Sequence, residues 1–456
     1  MPPPSEPTPP ANVTPRRVLR LWSPLAGSWL LMGIEMPMLT IAMTRMAGGE
    51  PHLAALGALV YPLSILIEAP IIMLLAASTA LVQDRWTHAR LLRFTHLSGL
   101  LLTLVHVLVS FTSVYDWIAV DVLAVPMPTV EPGRIGLQIM TPWTWSIAYR
   151  RYQQGVLIGL ERSDLVAKGT LIRLGSNVAV LTIGLLVGSW PGIVVGATGV
   201  ACGVIAEALW ACYCFRSAAR ERLPEHPAST PLTWGRFARF YWPLACTPLI
   251  TIVIQPIGSW AMSQMSDPVA SLAAWPAAYG VVFLLRSVGF AYNEVVVRLA
   301  GEPGGRAVLR RCGYWIAAVT SLLLILVAAT PISELWFHRI SGLSLELSEL
   351  AGSALFAALL MPAYAVAQNY LQGLLVHQKR TRAITEAVLL YLAACIGALL
   401  LGMRMFPATP GIYITLAAFT VAGIVQTAWL YLRARPDAET PRGRVAPPTD
   451  LATTDA

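Results

Sequence analysis

The chain has 456 residues and a formal net charge of +8, with 56% hydrophobic residues and 12% charged residues. Soluble proteins carry about 25% charged residues, so this composition excludes an ordinary soluble protein and indicates an integral membrane protein. The excess of positive charge is explained by membrane insertion and by contact with anionic lipids, rather than by binding to nucleic acid.

Apolar stretches of about 20 residues, the length that a helix needs to cross the hydrocarbon core, recur along almost the whole chain. A membrane β-barrel would need shorter segments of alternating polarity, so the sequence predicts an all-α membrane protein. We predict twelve transmembrane helices, near residues 18–43, 53–81, 92–114, 136–159, 166–187, 192–215, 237–265, 270–297, 313–330, 350–373, 383–402 and 411–432.

The distribution of positive charge predicts the topology. Arg16, Arg17 and Arg20 precede a first span that is too long for the core of a signal peptide, which favours an uncleaved first helix. Most of the 32 Lys and Arg fall on the side of the termini, and four fall on the other side: Arg45, Arg134, Arg339 and Arg404. By the positive-inside rule we expect a multi-pass protein of the cytoplasmic membrane with both termini in the cytoplasm.

The chain contains an internal duplication. "MTRMAGGEPHLAAL" begins at Met43, and "MSQMSDPVASLAAW" begins 219 residues later at Met262. In the later part of each half, "YQQGVLIGLER" from Tyr152 resembles "YLQGLLVHQKR" from Tyr370. Each half holds six spans, so both halves share one orientation, and parallel repeats of this kind enclose a cavity between them.

The predicted domains follow this duplication. A polar stretch containing "RERLPEHPAST" divides the halves, and both chain ends are rich in proline and polar residues. We predict a disordered N-terminus (1–15), an N-lobe (16–215), a cytoplasmic linker (216–235), a C-lobe (236–433) and a disordered tail (434–456). Prolines at matched positions predict kinks in equivalent helices, for the pathway or for packing alone: Pro37 with Pro256, and Pro142 with Pro362.

Five ionisable residues stand out inside the predicted spans: Glu35, Glu68, His106, Glu207 and Arg286. A charge at the centre of a membrane costs about 2.5–3.5 kcal/mol on insertion scales, so each should face protein or water and have a partner. For His106 and Glu207 the sequence offers no partner, and hydrogen-bonded packing is the expected role of the histidine.

Glu68 and Arg286 form the most specific pair. Tyr61 precedes Glu68 by seven residues and Tyr279 precedes Arg286 by seven, which is two helical turns on one face. The duplication thus places an acid in one half where the other half has a base. We expect Arg286 to hold an anionic group, or to pair with Glu68 when one side of the pathway is closed. A static salt bridge is the alternative.

Glu35 lies just before Pro37, and in the second half Gln255 lies just before Pro256. A carboxylate beside a kink is a candidate for coupling to H⁺ or Na⁺, with a hydrogen-bonded structural role as the alternative.

Near the end of the eighth span, Asn293 and Glu294 are weaker candidates for a binding site. Arg298 follows Glu294 by four residues, so an ion pair at the cytoplasmic end is expected there. We expect Arg150 and Arg151 to extend to the cytoplasmic interface, with entry into the cavity as the alternative.

Signatures of catalysis are missing from the sequence. It has no GxxxxGK[ST] loop, no HExxH and no GxSxG, so we predict neither an enzyme nor a catalytic or metal site. The six cysteines show no CxxC pairing, which makes a zinc site or a disulfide framework improbable. Apart from a possible coupling ion, H⁺ or Na⁺, no cofactor is expected. The expected partners are a small-molecule substrate and the lipid bilayer, around a monomer.

The six-plus-six layout and the repeated "PLA…P…M[ST]xM…LAA" pattern resemble the multidrug/oligosaccharidyl-lipid/polysaccharide (MOP) exporter superfamily. "RFYWPLA" from Arg239 and "QPIGSWAMSQ" from Gln255 are similar to the same region of progressive ankylosis proteins. The resemblance to the superfamily implies two helical bundles that work by alternating access. The superfamily includes exporters of cationic drugs coupled to H⁺ or Na⁺ and flippases for lipid-linked sugars, and ankylosis proteins are associated with export of citrate, nucleotide and pyrophosphate.

The predicted spans contain no Asp, so carboxylate coupling would fall to Glu35 or Glu68, and Arg286 fits an anionic substrate better than a cationic one. We therefore predict a secondary-active or downhill exporter of small anionic metabolites. Drug efflux, lipid-linked sugar flipping and a membrane scaffold or receptor without transport are the alternatives.

Overall fold

A computed structural model describes residues 13–160, 162–224, 232–378, 380 and 382–435. The predicted disordered N-terminus up to residue 12, the predicted tail from residue 436 and residues 225–231 of the predicted linker lie outside the described residues. Within the described ranges every regular element is a helix, apart from two isolated β-bridges. The predicted all-α fold is confirmed.

Twelve long helices, six in each half of the chain, make up the described molecule. The first six are α1 (Pro15–Gly33 and Glu35–Met43), α2 (Gly49–Thr79), α3 (Arg85–Phe111), α4 (Met127–Ile139 and Thr141–Gly159), α5 (Ser163–Val187) and α6 (Gly192–Arg222). The second six are α7 (Trp234–Ile252 and Ile254–Ser263), α8 (Pro268–Leu299), α9 (Gly305–Ala329), α10 (Leu345–Ala358 and Met361–His377), α11 (Arg382–Met405) and α12 (Gly411–Ala434).

The helices carry the apolar surface of a membrane protein. Nine of the described helices are long and apolar enough to span a membrane, and α10 makes a tenth if its two bent segments count as one span. Outward-facing leucines are widely exposed, for example Leu101 at 62% and Leu401 at 61%. Exposed apolar surface on this scale is unfavourable in water and is matched by lipid tails.

The duplication is visible in the backbone. Parallel bridges join Ala47 to Pro191 and Ser266 to Pro410, so both partners of the second bridge lie 219 residues after those of the first. A short π-helix follows α3 at Trp117–Val122 and another follows α9 at Leu335–Ile340, at an offset of 218. The two halves therefore repeat one local structure.

The matched prolines coincide with helix breaks, as predicted. Pro37 and Pro256 have no N–H to donate to the carbonyls of Gly33 and Ile252, and the first segments of α1 and α7 end at these two residues. In the other matched pair, Pro142 and Pro362 lie in the first turn of the second segments of α4 and α10. The two segments of α10 meet at a bend of 40° just before Pro362.

The first segments of α1 and α7 pack on the opposite lobe. In α1, Val18 and Ala26 belong to a core cluster with residues of α8, α9 and α10, and Trp22 Nε1 donates to the Val288 carbonyl at 3.1 Å. In α7, Phe237 packs in the N-lobe core, and Tyr241 Oη donates to the Pro70 carbonyl at 2.6 Å. The two accepting carbonyls are themselves 218 residues apart, so the exchange is symmetric.

Apart from the contacts of the first segments of α1 and α7, the lobes meet on one side of the membrane. We call the side on which α1 and α7 begin and α12 ends the terminal side, and the other side the far side. On the far side, Arg45 donates to the Ile340 carbonyl at 2.6 Å, and Ser344 Oγ donates to Glu50 Oε1 at 3.1 Å. Helices α2 and α8 share a buried core there, and Gly57 lies against the ring of Pro276. The structure is therefore closed on the far side.

Candidate functional site

A cavity of about 310 Å³ lies between the lobes, on the terminal side of the interlobe core. The N-lobe contributes the charged part of its wall: Glu35, Tyr61, Glu68, Arg150, Arg151 and Arg173. The C-lobe contributes an amide and an apolar, aromatic surface: Gln255, Trp275, Pro276, Tyr279, Gly280 and Phe283. The two walls thus differ in polarity although the lobes repeat one fold.

Glu35 is held at the break in α1 by several groups of the N-lobe. Arg173 of α5 donates to Glu35 Oε2, and Asn177 Nδ2, one turn further along α5, donates to Glu35 Oε1 at 3.1 Å. The hydroxyl of Tyr61 lies 3.5 Å from Oε2. Since Glu35 is only 3% exposed, the guanidinium compensates a carboxylate that the membrane would otherwise destabilise.

Glu207 of α6 is compensated in the same way by α4. Arg150 donates to Glu207 Oε2, and Gln154 Nε2 donates to Oε1 at 2.8 Å. Arg150 is 4% exposed and Glu207 is 1% exposed. The expectation that Arg150 extends to the interface is therefore wrong, because Glu207 binds its guanidinium inside the lobe.

Glu68 and Arg151 have unsatisfied polar atoms in the same region. Glu68 Oε2 and Arg151 Nε are buried and have no hydrogen-bond partner in the described structure. Glu68 interacts electrostatically with Arg151, Arg150 and Arg173, but no ion pair within 4 Å is formed by Glu68 in the part of the chain that the structure describes. Two residues of the cavity wall thus each keep a buried polar atom without a hydrogen-bond partner.

These six ionisable residues form what we call the N-lobe charge cluster: Glu35, Glu68, Glu207, Arg150, Arg151 and Arg173. Three carboxylates face three guanidinium groups, so the cluster is neutral when all are ionised. Arg173 and Asn177 were not predicted as site residues, although a lone arginine in an apolar span, followed one turn later by an asparagine, is the signal that could have identified them.

Arg286 of α8 has a different environment, made of aromatic rings in the C-lobe. Its guanidinium carbon lies 5.5 Å from the ring centre of Tyr364 and 5.9 Å from that of Phe290. Tyr279 and Tyr391 are also close enough to interact with it. Arg286 Nε is buried and has no hydrogen-bond acceptor, and no described carboxylate lies within 4 Å of this arginine. We call Arg286 with these three tyrosines the Arg286 cage.

The predicted ion pair between Glu68 and Arg286 is not formed in this conformation. Glu68 faces the arginines of α4 and α5, whereas Arg286 faces tyrosines of the C-lobe. The contacts that do form at equivalent positions of the two halves join side chains of the same lobe. Gln255 Nε2 donates to Tyr279 Oη at 3.3 Å, which repeats the approach of Tyr61 to Glu35 in the other half.

At the end of α8, Glu294 and Arg298 are both exposed and form no ion pair with each other, contrary to the expectation from their spacing. Two exposed side chains gain little from pairing, because water screens them and their flexibility is lost. Asn293 and Glu294 are not among the residues that line the cavity.

His106 has the packing role that the sequence analysis expected. Its ring nitrogens lie 2.7 Å from Thr144 Oγ1 and 2.9 Å from the Leu137 carbonyl, both in α4.

The architecture defines the class of protein as a helical membrane protein with two equivalent lobes around a central cavity. More particularly, the chain has the fold of MATE-family transporters of the MOP superfamily, as the resemblance in the sequence indicates. An inward-facing multidrug resistance MATE transporter matches with a TM-score of 0.70 at 12% identity, over 91% of this chain and 98% of the other. An outward-facing MATE structure matches with a TM-score of 0.62 at 14% identity, over 92% and 96%.

A MOP superfamily transporter from Pyrococcus furiosus, described as having a binding pocket of reverse polarity that suggests a different function, matches with a TM-score of 0.64 at 14% identity, over 93% of this chain and 96% of the other. No protein-family model and no curated protein matches the sequence. The resemblance to ankylosis proteins therefore stays a prediction.

Proposed function

We propose that this protein exports small anionic metabolites across the membrane by alternating access. Its fold is that of MATE transporters, and its cavity is closed from the far side. The higher TM-score against an inward-facing structure than against an outward-facing one agrees with this one-sided cavity, if the terminal side is cytoplasmic as the charge distribution predicts. A substrate would then enter the cavity from the cytoplasm.

The main support for an anionic substrate is that no described residue places a negative charge beside Arg286. The N-lobe charge cluster balances three arginines with three glutamates, whereas Arg286 is surrounded by neutral tyrosines. A cation that stays unpaired in the membrane is costly, and a bound anion would neutralise it. A guanidinium beside tyrosine hydroxyls offers several donors in a geometry suited to carboxylate or phosphate oxygens.

The cavity adds a place for the rest of the substrate. Trp275 and Tyr279 stack with ring centres 4.8 Å apart and an angle of 11° between their planes, and Phe283 follows along the same face of α8. A planar or apolar part of the substrate would pack on this surface, with Arg151 and Tyr279 beside its negative charge. Arg286 does not itself line the cavity in this conformation; it lies behind Tyr279, the one member of the cage that does, and would bind the anion as the lobes move. When the lobes rock, a substrate held in this way would pass from one side to the other.

Ion coupling at Glu35 would have to compete with Arg173. The guanidinium occupies the position beside Oε2 that a proton or Na⁺ would take, and Asn177 occupies the other oxygen. Glu68 lines the cavity and its buried Oε2 has no partner, so it is the better candidate for a coupling carboxylate. Glu68→Gln should then change the dependence of transport on pH or on Na⁺, whereas a purely structural Glu68 would leave that dependence unchanged.

The test compares cells that express wild type, Arg286→Ala, Arg286→Lys, Arg298→Ala or no transporter. Citrate, nucleotides and pyrophosphate released into the medium are quantified by mass spectrometry, and ethidium retention is measured in parallel. Loss of the charge-assisted hydrogen bonds should lower release in Arg286→Ala by about tenfold or more. Lysine keeps the charge but not the planar fork, so an intermediate rate is expected for Arg286→Lys.

Arg298→Ala is the matched control, because Arg298 lies on the same helix but is exposed and does not belong to the Arg286 cage. All variants are compared at equal surface expression. Anion release that is independent of Arg286 would contradict the proposal.

Efflux of organic cations is the second candidate, because two carboxylates and an aromatic surface line one cavity: Glu35, Glu68, Trp275, Tyr279 and Phe283. In the same assay, lower ethidium retention in wild-type cells without a change in anion release would favour this function. It would also make Arg286 a structural residue.

A further inference from the structure

A second cavity, of about 560 Å³, opens on the outer surface of the C-lobe between α9, α10 and α12. Its walls are apolar along most of their length, for example at Ala363 and Ala367. The walls also carry one arginine and several tyrosines: Arg310, Tyr314, Tyr370 and Tyr431. We call this cavity the outer groove. None of the residues that line this groove lines the central cavity, but Tyr364 of the Arg286 cage lines the groove, so the groove and the cage share this side chain.

The polar end of the outer groove lies near the terminal side of the membrane. Arg310 is in the second turn of α9, whose first residue is Gly305, and Tyr431 is in the last turn of α12. Tyr314 is 69% exposed and Tyr431 is 53% exposed. Tyrosines and arginines in the outer turns of spans are typical of the interface between lipid tails and headgroups.

Positive charge is concentrated at this end. Arg306 and Arg310 both act electrostatically on Tyr370, and the hydroxyl of Tyr370 lies 3.4 Å from the Arg306 carbonyl. Arg435 lies 4.6 Å above the ring of Tyr431. Within the described part of the chain, none of these three arginines forms an ion pair with a carboxylate. Their charge is therefore available to an external anion.

We propose that the outer groove binds one anionic phospholipid from the leaflet on the terminal side. An acyl chain lies in the apolar part, along Ala363 and Ala367, and the phosphate binds Arg310 with the hydroxyls of Tyr314 and Tyr370. A zwitterionic lipid fits the apolar part equally well but leaves the local positive charge uncompensated. Basic pockets between membrane helices on the cytoplasmic side recognise anionic headgroups in this way.

The experiment uses the purified full-length chain in detergent. Native mass spectrometry counts bound lipid while phosphatidylglycerol, phosphatidylcholine or glycerol 3-phosphate is titrated, and thermal unfolding is followed in parallel. Wild type should bind one phosphatidylglycerol in preference to phosphatidylcholine. Arg310→Ala should weaken that binding by about fivefold, which corresponds to one basic residue near a headgroup.

Arg311→Ala is the matched control, because Arg311 is the next residue, is equally charged and exposed, and does not line the outer groove. Ala367→Phe should displace the acyl chain and reduce lipid binding without removing any charge. If the phenylalanine prevents folding, then Ala363→Leu is used instead of Ala367→Phe. Equal effects of Arg310→Ala and Arg311→Ala, or equal binding of both lipids, would overturn the proposal. Binding of glycerol 3-phosphate as tight as that of the lipid would show a simple anion site instead.

Discussion

The N-lobe charge cluster shows how a polar network is kept inside a membrane domain. Arg173 with Glu35 and Arg150 with Glu207 join helices that are far apart in sequence, and amides complete the hydrogen bonds of both carboxylates. The sequence predicts that each charge needs a partner, because an unpaired charge is costly. It does not predict which partner, because the pairing depends on the packing of α1, α4, α5 and α6.

The pair of Glu35 and Arg173 can be tested by a double-mutant cycle. Either Glu35→Gln or Arg173→Gln leaves an uncompensated charge in the lobe, so each should destabilise the protein by about 3–5 kcal/mol. The double variant removes both charges and should be clearly more stable than either single variant. Thermal unfolding in detergent measures the difference, with Arg298→Gln as an exposed control that should change stability by less than about 0.5 kcal/mol. Additive losses would mean that the two side chains do not interact.

At the scale of elements, the predicted positions of the helices agree with the structure where the spans are uniformly apolar. For α11 the prediction of 383–402 falls within Arg382–Met405. In contrast, α4 is predicted from residue 136 but begins at Met127. Its first turns contain Glu131 and Arg134, whose charge ended the apolar pattern. Arg134 forms an ion pair with Asp116, and this contact compensates the charge at the membrane edge.

We expect the contact between α2 and α8 to stabilise the conformation that is closed on the far side. A Cβ added at Gly57 would lie 2.6 Å from Pro276 Cγ, and a proline ring cannot turn away. Gly57→Ala should therefore separate the two helices and make the far-side-closed conformation less populated.

The measurement introduces a cysteine at Thr44, whose hydroxyl donates to the Ser341 carbonyl on the far side, into a background without the native cysteines. Gly57→Ala should raise its rate of reaction with a membrane-impermeant thiol reagent and lower transport. Gly175→Ala is the control, since no atom lies within 4 Å of a Cβ at that position. If both alanine variants react at the wild-type rate, then this contact does not control closure.

At the scale of the whole molecule, alternating access requires the far-side contacts to break. Cysteines in place of Glu50 and Ser344, whose side chains hydrogen-bond across the lobes, should be joined efficiently by a short bifunctional thiol reagent. The cross-linked protein should retain substrate binding but lose transport, because the lobes can no longer separate there. Flux assays in liposomes before and after cleavage of a reducible linker measure the effect. Undiminished flux in the cross-linked protein would exclude this interface as a gate.

The two-lobe layout was predictable from the repeated sequence, because an even number of spans in each half fixes a common orientation. The packing of the first segments of α1 and α7 on the opposite lobe was not predictable, because the sequence of an apolar helix face does not indicate which lobe it contacts. Trp22 and Tyr241 show the same limit at single residues, because only the structure gives the acceptor of each in the other half.

The exchanged first segments of α1 and α7 have a consequence for the origin of the chain. A single lobe made only from its own six helices would lack the segment that covers its core, and two copies could supply it by exchanging these segments. The protein is therefore built like a domain-swapped dimer whose two protomers are joined in one polypeptide. In such a chain the connection between α6 and α7 replaces dimerisation, and the partner segment is present at a fixed effective concentration from the moment of synthesis.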